Sequence, residues 1–229
     1  ILIDSMAKRM QSYLPKLGVD DETKIGVEEM VRLTLQTLET HFQNEPYLLG
    51  GRPCLGDFSL YGPLWAHLYR DPESHTMFEI YPNVVAWIQR LTNGSPKHGE
   101  FLQNDLVPDA LTPLFQYILQ EQWNWIQKLV QKIDDYCASH PEANRVPRSL
   151  GEQEFSICGK KGRRKLATFV QWKAQSVCRN YIASGENGHS WVQSVINSDV
   201  DCFPIPSISN PFEMVNYKPI LQKRRSTSV

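Results

Sequence analysis

The chain lacks an excess of charge of either sign: 24 basic residues stand against 25 acidic ones, for a formal charge of −1 over 229 residues. A nucleic-acid binder carries a basic excess or stripe, so the overall balance argues against a nucleic-acid partner and leaves only local patches to consider. Long apolar runs are missing too. None approaches the roughly 18 to 20 residues that cross a bilayer, and no signal peptide is visible, so no membrane association is expected. Cysteine is scarce: Cys54, Cys137, Cys158, Cys178 and Cys202 are odd in number, with no C-x-x-C and no zinc-type spacing to histidine. That usage suits reduced thiols and a cytoplasmic setting. The six histidines show no H-E-x-x-H or other ligand spacing, so no metal is expected. Nor is there a G-x-S-x-G, a phosphate loop, a dinucleotide fingerprint or an internal repeat, which removes the familiar hydrolase, NTPase, dehydrogenase and solenoid readings. The initiator methionine is also absent. Ile1-Leu-Ile-Asp-Ser-Met6 opens the chain with Ile3, Met6, Met10 and Tyr13 already at helical spacing, as though it begins partway through something.

What is present is a chain that can bury a core, with 41% hydrophobic and 10% aromatic residues. A first helix is expected up to about Leu14, stopped by Pro15 and Gly18. Asp20 and Asp21 open a second, in which Val27, Val31, Leu35, Leu38 and Phe42 fall on one face. Two such helices on a short loop make a helical hairpin. Leu55 to Tyr69 is apolar around its whole circumference, which predicts a buried helix, although its Gly62-Pro63 step costs about 3 kcal/mol in isolation. Tyr81 to Leu91 gives a further helix with Pro82 in its first turn and Val84, Val85, Ile88 and Leu91 inward. Gly94, Ser95 and Pro96 close this unit.

The stretch Leu48-Leu-Gly-Gly-Arg-Pro-Cys-Leu-Gly-Asp-Phe58 leads into the apolar helix with the form of a capping box. Cys54 is the N-cap, Asp57 the residue at N3 that accepts from its backbone N–H, and Pro53 and Phe58 hold the staple positions. A tight glycine turn into such a helix resembles the G-x-x-hydrophobic-Ser/Thr-x-x-Asp element of glutathione transferase C-terminal domains. Gly-Pro-Leu-x-Ala-His-Leu-Tyr-Arg-Asp-Pro72 and Tyr-Pro-x-Val-x-x-Trp-Ile88 look like the same family's following helices. The resemblance covers about residues 1 to 95. Two departures are Cys54 where the family has Ser or Thr, and Gly56 where it has Ala.

The resemblance implies an all-α fold: a glutathione transferase C-terminal-like bundle over residues 1–97, followed by a helical extension over 98–229. It implies a thioredoxin-like N-terminal domain as partner. Glutathione would be co-substrate of the complete form, a small apolar electrophile its substrate, and a homodimer a further association to look for. The residue that activates the thiol sits on the thioredoxin-like domain, which this chain does not contain, so no catalytic residue is assigned. The alternative is a non-catalytic helical interaction module of the same fold. His67, Tyr69 and Arg70 form a polar end to the apolar helix and are candidates to line a substrate pocket, helix-end solvation being the competing reading. Cys54 and Asp57 are read as structural, because a neighbouring carboxylate raises rather than lowers a thiol pKa.

In the extension, Pro113 to Tyr136 is expected as one long helix with Phe115, Ile118, Ile126, Leu129, Ile133 and Tyr136 in a stripe and Trp123 and Trp125 beside it. A β-hairpin is expected near 154–168, with its turn at Gly159 to Gly162. Gly151-Glu-Gln-Glu-Phe155, Arg163, Arg164 and Trp172 resemble an extension found in longer family members. Lys160-Lys-Gly-Arg-Arg-Lys165 puts five cations in six residues at that turn. The run reads either as a solvated charged turn or as an anion contact through Arg163 and Arg164. Helices over Thr168–Ala183 and His189–Asn197 follow, with Trp172 and Tyr181 assigned to core. Beyond Asp199 four prolines predict an irregular tail, ending in a Thr-x-Val pattern of the kind PDZ domains take.

Overall fold

The computed structural model describes residues 2–94, 99–196 and 205–222. In chain order the helices are α1 (Leu2–Gln11), α2 (Leu14–Leu17), α3 (Thr23–His41), α4 (Leu55–Pro63), α5 (Pro72–His75), α6 (Pro82–Asn93), α7 (Thr112–Tyr117), α8 (Trp123–Ser139), α9 (Phe169–Ala183) and α10 (Gly185–Ile196). The strands β1 (Ser149–Ile157), β2 (Lys160–Ala167), β3 (Phe212–Val215) and β4 (Lys218–Leu221) pair as two antiparallel hairpins. The chain divides into two compact units, residues 29–115 and residues 1–28 with 116–229. The C-terminal Thr-Ser-Val, Cys202 and Ser95-Pro96 lie outside the described residues.

Residues 29–115 are helical because their apolar positions repeat at helical spacing and find one another. Leu35 and Leu38 of α3 and Phe42 just after it share a core with Val84, Trp87 and Ile88 of α6, together with Tyr47, Leu48, Leu64, Phe78 and Leu111. The Phe42 and Trp87 rings stack at 5.1 Å between centroids. Each such buried side chain stabilises by about 1.5–3 kcal/mol. Val31, at the start of the expected stripe, only packs at its edge. The orphan N–H groups at the start of α6 are capped from a distance: Glu39 of α3 accepts from Asn83 N (2.9 Å) and Val84 N (3.1 Å). Proline does not break the helix after α4. The chain widens into a π-helical turn over Leu64–Tyr69, closed by the Arg70 N–H on the Trp65 carbonyl at 3.0 Å, a local unwinding that accommodates a ring clashing one turn back.

In the other unit Asp20 caps α3, accepting from Thr23 N at 2.8 Å and Glu22 N at 3.0 Å, and these bonds lower its carboxyl pKa. The long helix expected over 113–136 is α7 and α8 joined by a second π-helical turn, Ile118–Gln122. It buries Leu119, Trp123, Trp125, Leu129, Val130 and Ile133, so the inward face changes phase across the turn: Leu119 and both tryptophans are buried while Ile118 is only half-buried. Trp125, Leu129, Ile133, Leu166 and Phe212 share one core.

The first hairpin is longer than expected and turns elsewhere. Ile157 pairs with Lys160, leaving Cys158 (φ 45°) and Gly159 (φ 74°) as a two-residue turn of the left-handed kind that matches strand twist. The run 160–165 is therefore strand β2, not turn. A Cβ on Gly162 would strike Thr23, so only glycine lets β2 lie this close to the start of α3.

The tail expected to be irregular from about 199 also carries a hairpin, β3–β4, turning on Asn216 and Tyr217, both with positive φ. Pro219 is tolerated because the sheet has only two strands and hence only edges. What holds this hairpin is the inner face of α9, where buried Gln175 exchanges two hydrogen bonds with the Phe212 backbone (2.6 and 2.9 Å) and Gln171 donates to the Asn210 carbonyl at 2.9 Å. Trp172, expected as core, is half-buried beside that face.

Candidate functional site

The best-defined local structure in residues 29–115 is the approach to α4. Tyr47 and Gly50 exchange backbone hydrogen bonds in a tight turn, and Gly50 sits at φ 112°. Leu49 and Gly51 then pair with the segment 99–102: Gly51 N donates to the Glu100 carbonyl, and Leu102 N to that of Leu49. A Cβ on Gly51 would come within 2.7 Å of the Gly99 Cα, so this approach requires glycine.

Cys54 is the extended N-cap, with the capping box closed at Asp57. Asp57 is fully buried. Its Oδ2 accepts from Cys54 N at 2.9 Å, and its Oδ1 from both Leu48 N at 3.0 Å and the Trp87 indole at 2.9 Å. One carboxylate thus ties together the turn, the start of α4 and the middle of α6. Burial, and next the Asp57 carboxylate, push the Cys54 thiol above its ordinary value of 9.0. Cys54 also borders an apolar cavity of ≈ 260 Å³ with Leu49, Phe101, Leu102, Leu106 and Val107. A thiol held neutral there is a poor nucleophile at neutral pH.

The expectation of a helix buried on every side is corrected. In α4 only Asp57 is buried, while Leu55 is 82% and Phe58 55% exposed. Pro63 and Ala66 continue the same open face, and Gly62 points into space. All-round hydrophobicity signals burial only when both sides of a helix find partners within the same chain.

His67, Tyr69 and Arg70 share the end of the π turn but do not converge. His67 is exposed. Tyr69 meets Phe78 edge-on (5.2 Å) and His75 at a tilt (4.7 Å), and its carbonyl oxygen bonds His75 Nδ1 at 2.6 Å. The Arg70 guanidinium lies over the Trp65 ring at 4.8 Å.

Arg163 and Arg164 separate by strand alternation. Arg163 is exposed on β2, 3.9 Å from Glu152 and 3.8 Å from Glu154 across the hairpin. Arg164 turns inward over Trp125 at 4.1 Å, with Phe155 at 5.5 Å, its buried Nε without a hydrogen-bond partner among the described residues. Burial lowers its pKa, a shift that the nearby Tyr117 opposes. Beside it is a cavity of ≈ 340 Å³ between the second π turn, α8 and β1, bordered by Trp125, Phe155, Lys128 and Lys161. Sequence reasoning singled out neither lysine. Their only signal there was the cationic run that holds Lys161.

Among the described residues no group of histidine, cysteine, aspartate and glutamate could hold a metal ion, and no helix is long and apolar enough to cross a membrane. The family model of the glutathione S-transferase C-terminal domain matches residues 5–94. No curated protein and no solved structure matches the chain. In that family a thioredoxin-like N-terminal domain accompanies the helical one, and complete members bind glutathione. The all-helical bundle with its hairpin extension agrees with the match. Residues 5–94, fewer than half of the chain, are thus similar to glutathione S-transferase C-terminal domains.

Proposed function

We propose that the chain supplies the helical, substrate-pocket part of a glutathione-transferase-like protein whose complete form conjugates or reduces apolar electrophiles with glutathione. The observation that carries this reading is the family match over 5–94 combined with the open apolar face of α4, where Leu55 and Phe58 stand exposed on either side of the fully bonded Asp57 in sequence. An exposed apolar helix face is what a docking domain would cover. A thioredoxin-like domain seated there would bring its thiol-activating residue beside the helical wall, and the electrophile would bind between them. His67, Tyr69 and Arg70 remain candidates for that wall, Cys54 and Asp57 its structural support. Residues 98–229 act as an extension to the bundle. A dimer and a cytoplasmic setting belong to the same reading.

Calorimetric titration of glutathione into this chain, and into a form extended upstream through a thioredoxin-like domain, tests it. Binding and conjugation by the extended form alone is the expected result. Conjugation by this chain alone would contradict a thiol site located elsewhere. If neither form binds glutathione, the exposed α4 face instead favours a non-catalytic interaction module.

A further inference from the structure

The cavity of ≈ 340 Å³ beside the second π turn lies in residues 116–165, outside the matched family domain. Its volume falls within the range of small-molecule sites. Trp125 and Phe155 give it an apolar wall, and two carboxylates and two ammonium groups border it. The carboxylates are already committed. Glu121 accepts from the backbone N–H groups of Cys158 (2.7 Å) and Gly159 (3.1 Å), holding the hairpin turn. Glu154 faces Arg163 at 3.8 Å. The ammonium groups of Lys128 and Lys161 have no carboxylate partner among the described residues, and both side chains are exposed enough to swing over the opening. A further donor stands at the wall: the Trp125 indole N–H is buried, in a residue only 5% exposed, and has no acceptor among the described residues. The Arg164 guanidinium, which does not border the cavity, lies over the same ring at 4.1 Å. Glu121 keeps its charge, but both its oxygens are engaged by backbone N–H groups and Glu154 faces Arg163, so the polar groups left to meet a ligand at this aromatic wall are the two ammonium groups and the indole N–H.

We infer that this cavity is a binding site for a flat organic anion, an aromatic ring bearing one carboxylate or sulfonate, with the ring against Trp125 and Phe155 and the acid between Lys128 and Lys161. The site involves no group of the proposed transferase reading and stands or falls separately from it. Arg163, the more obvious anion contact from sequence, takes no direct part, because its charge is spent on Glu152 and Glu154.

The test is calorimetric titration of 2-naphthoate into the full chain, with the uncharged 2-naphthalenemethanol as its isostere. The naphthoate binds, its affinity falls as salt is raised, and the isostere binds at least about tenfold more weakly. The double substitution Lys128→Gln with Lys161→Gln, at exposed positions that leave the core intact, lowers naphthoate affinity by about tenfold or more. Leu55→Ser with Phe58→Ser on α4 leaves it unchanged. Equal binding of acid and isostere, full affinity in the lysine double variant, loss of affinity in the α4 variant, or no binding up to about 10 mM would each overturn the assignment.

Discussion

Asp57, fully buried, and Arg164, half-buried, are charged side chains turned inward in the two units of the chain, and they are compensated in opposite ways. Asp57 is ringed by N–H donors from the Leu48 and Cys54 backbone and the Trp87 indole. Arg164 is set over aromatic faces, with no hydrogen-bond partner for its Nε among the described residues. A buried charge with directional partners is a joint: its removal strands every group that pointed at it. A charge held by ring faces and its own aliphatic stem behaves more like packing, and a hydrophobe of similar shape can replace it.

The largest effect is expected from Asp57→Ala, which leaves three donors without an acceptor. The expected loss is about 3–5 kcal/mol in urea unfolding, and a loss below about 1 kcal/mol would mean that water reaches those donors. For Arg164 the contrast lies between two variants. Arg164→Ala should cost about 1–2 kcal/mol, while Arg164→Met should fall within about 1 kcal/mol of the parent. A methionine variant as damaged as Asp57→Ala would show that the charge itself is required.

A third variant asks whether a partner distant in sequence works like a local cap. Glu39→Ala should cost about 1 kcal/mol through the start of α6, with Glu39→Gln recovering part of it because the amide oxygen still accepts. The smallest effect is expected at Cys54. A serine there accepts better than a thiol, so Cys54→Ser should stabilise by about 0.5 kcal/mol. The folded protein favours the neutral thiol, so its contribution is intact below the ordinary thiol pKa of 9.0 and fades as pH rises through the raised folded value. Alkylation of Cys54 by iodoacetamide at neutral pH should accordingly be slower than that of a free cysteine, and the serine variant should lose less stability at alkaline pH.

What the sequence revealed of these sites followed separation along the chain. The bond from Cys54 N to Asp57 was legible because it closes within one helical turn. The Leu48 and Trp87 bonds to the same carboxylate, and the Glu39 cap on α6, were not, since no periodicity joins residues 9, 30 or 44 positions apart. The hairpin turn was misplaced because glycines at 159 and 162 looked like its signature, whereas one of the two left-handed positions is filled by Cys158. Shifting the turn moved the whole cationic run onto a strand, and alternation then separated Arg163 from Arg164. The tail hairpin was hidden for a related reason: its anchors are glutamines on α9, residues that hydrophobic patterning assigns to a surface.

The two π-helical turns, Leu64–Tyr69 and Ile118–Gln122, are places where a helix carries one residue more than an α-helix needs. Deleting a residue inside the second, which joins α7 to α8, would let the turn close to ordinary α geometry with both flanking faces still aimed as before, and in the first, which ends at the Arg70–Asp71 turn, the loss would fall at a helix end. The same deletion within α3 would rotate every later side chain by about 100° and turn Leu38 and Phe42 out of the core. When related chains of unequal length are aligned, the gaps therefore belong in these two turns.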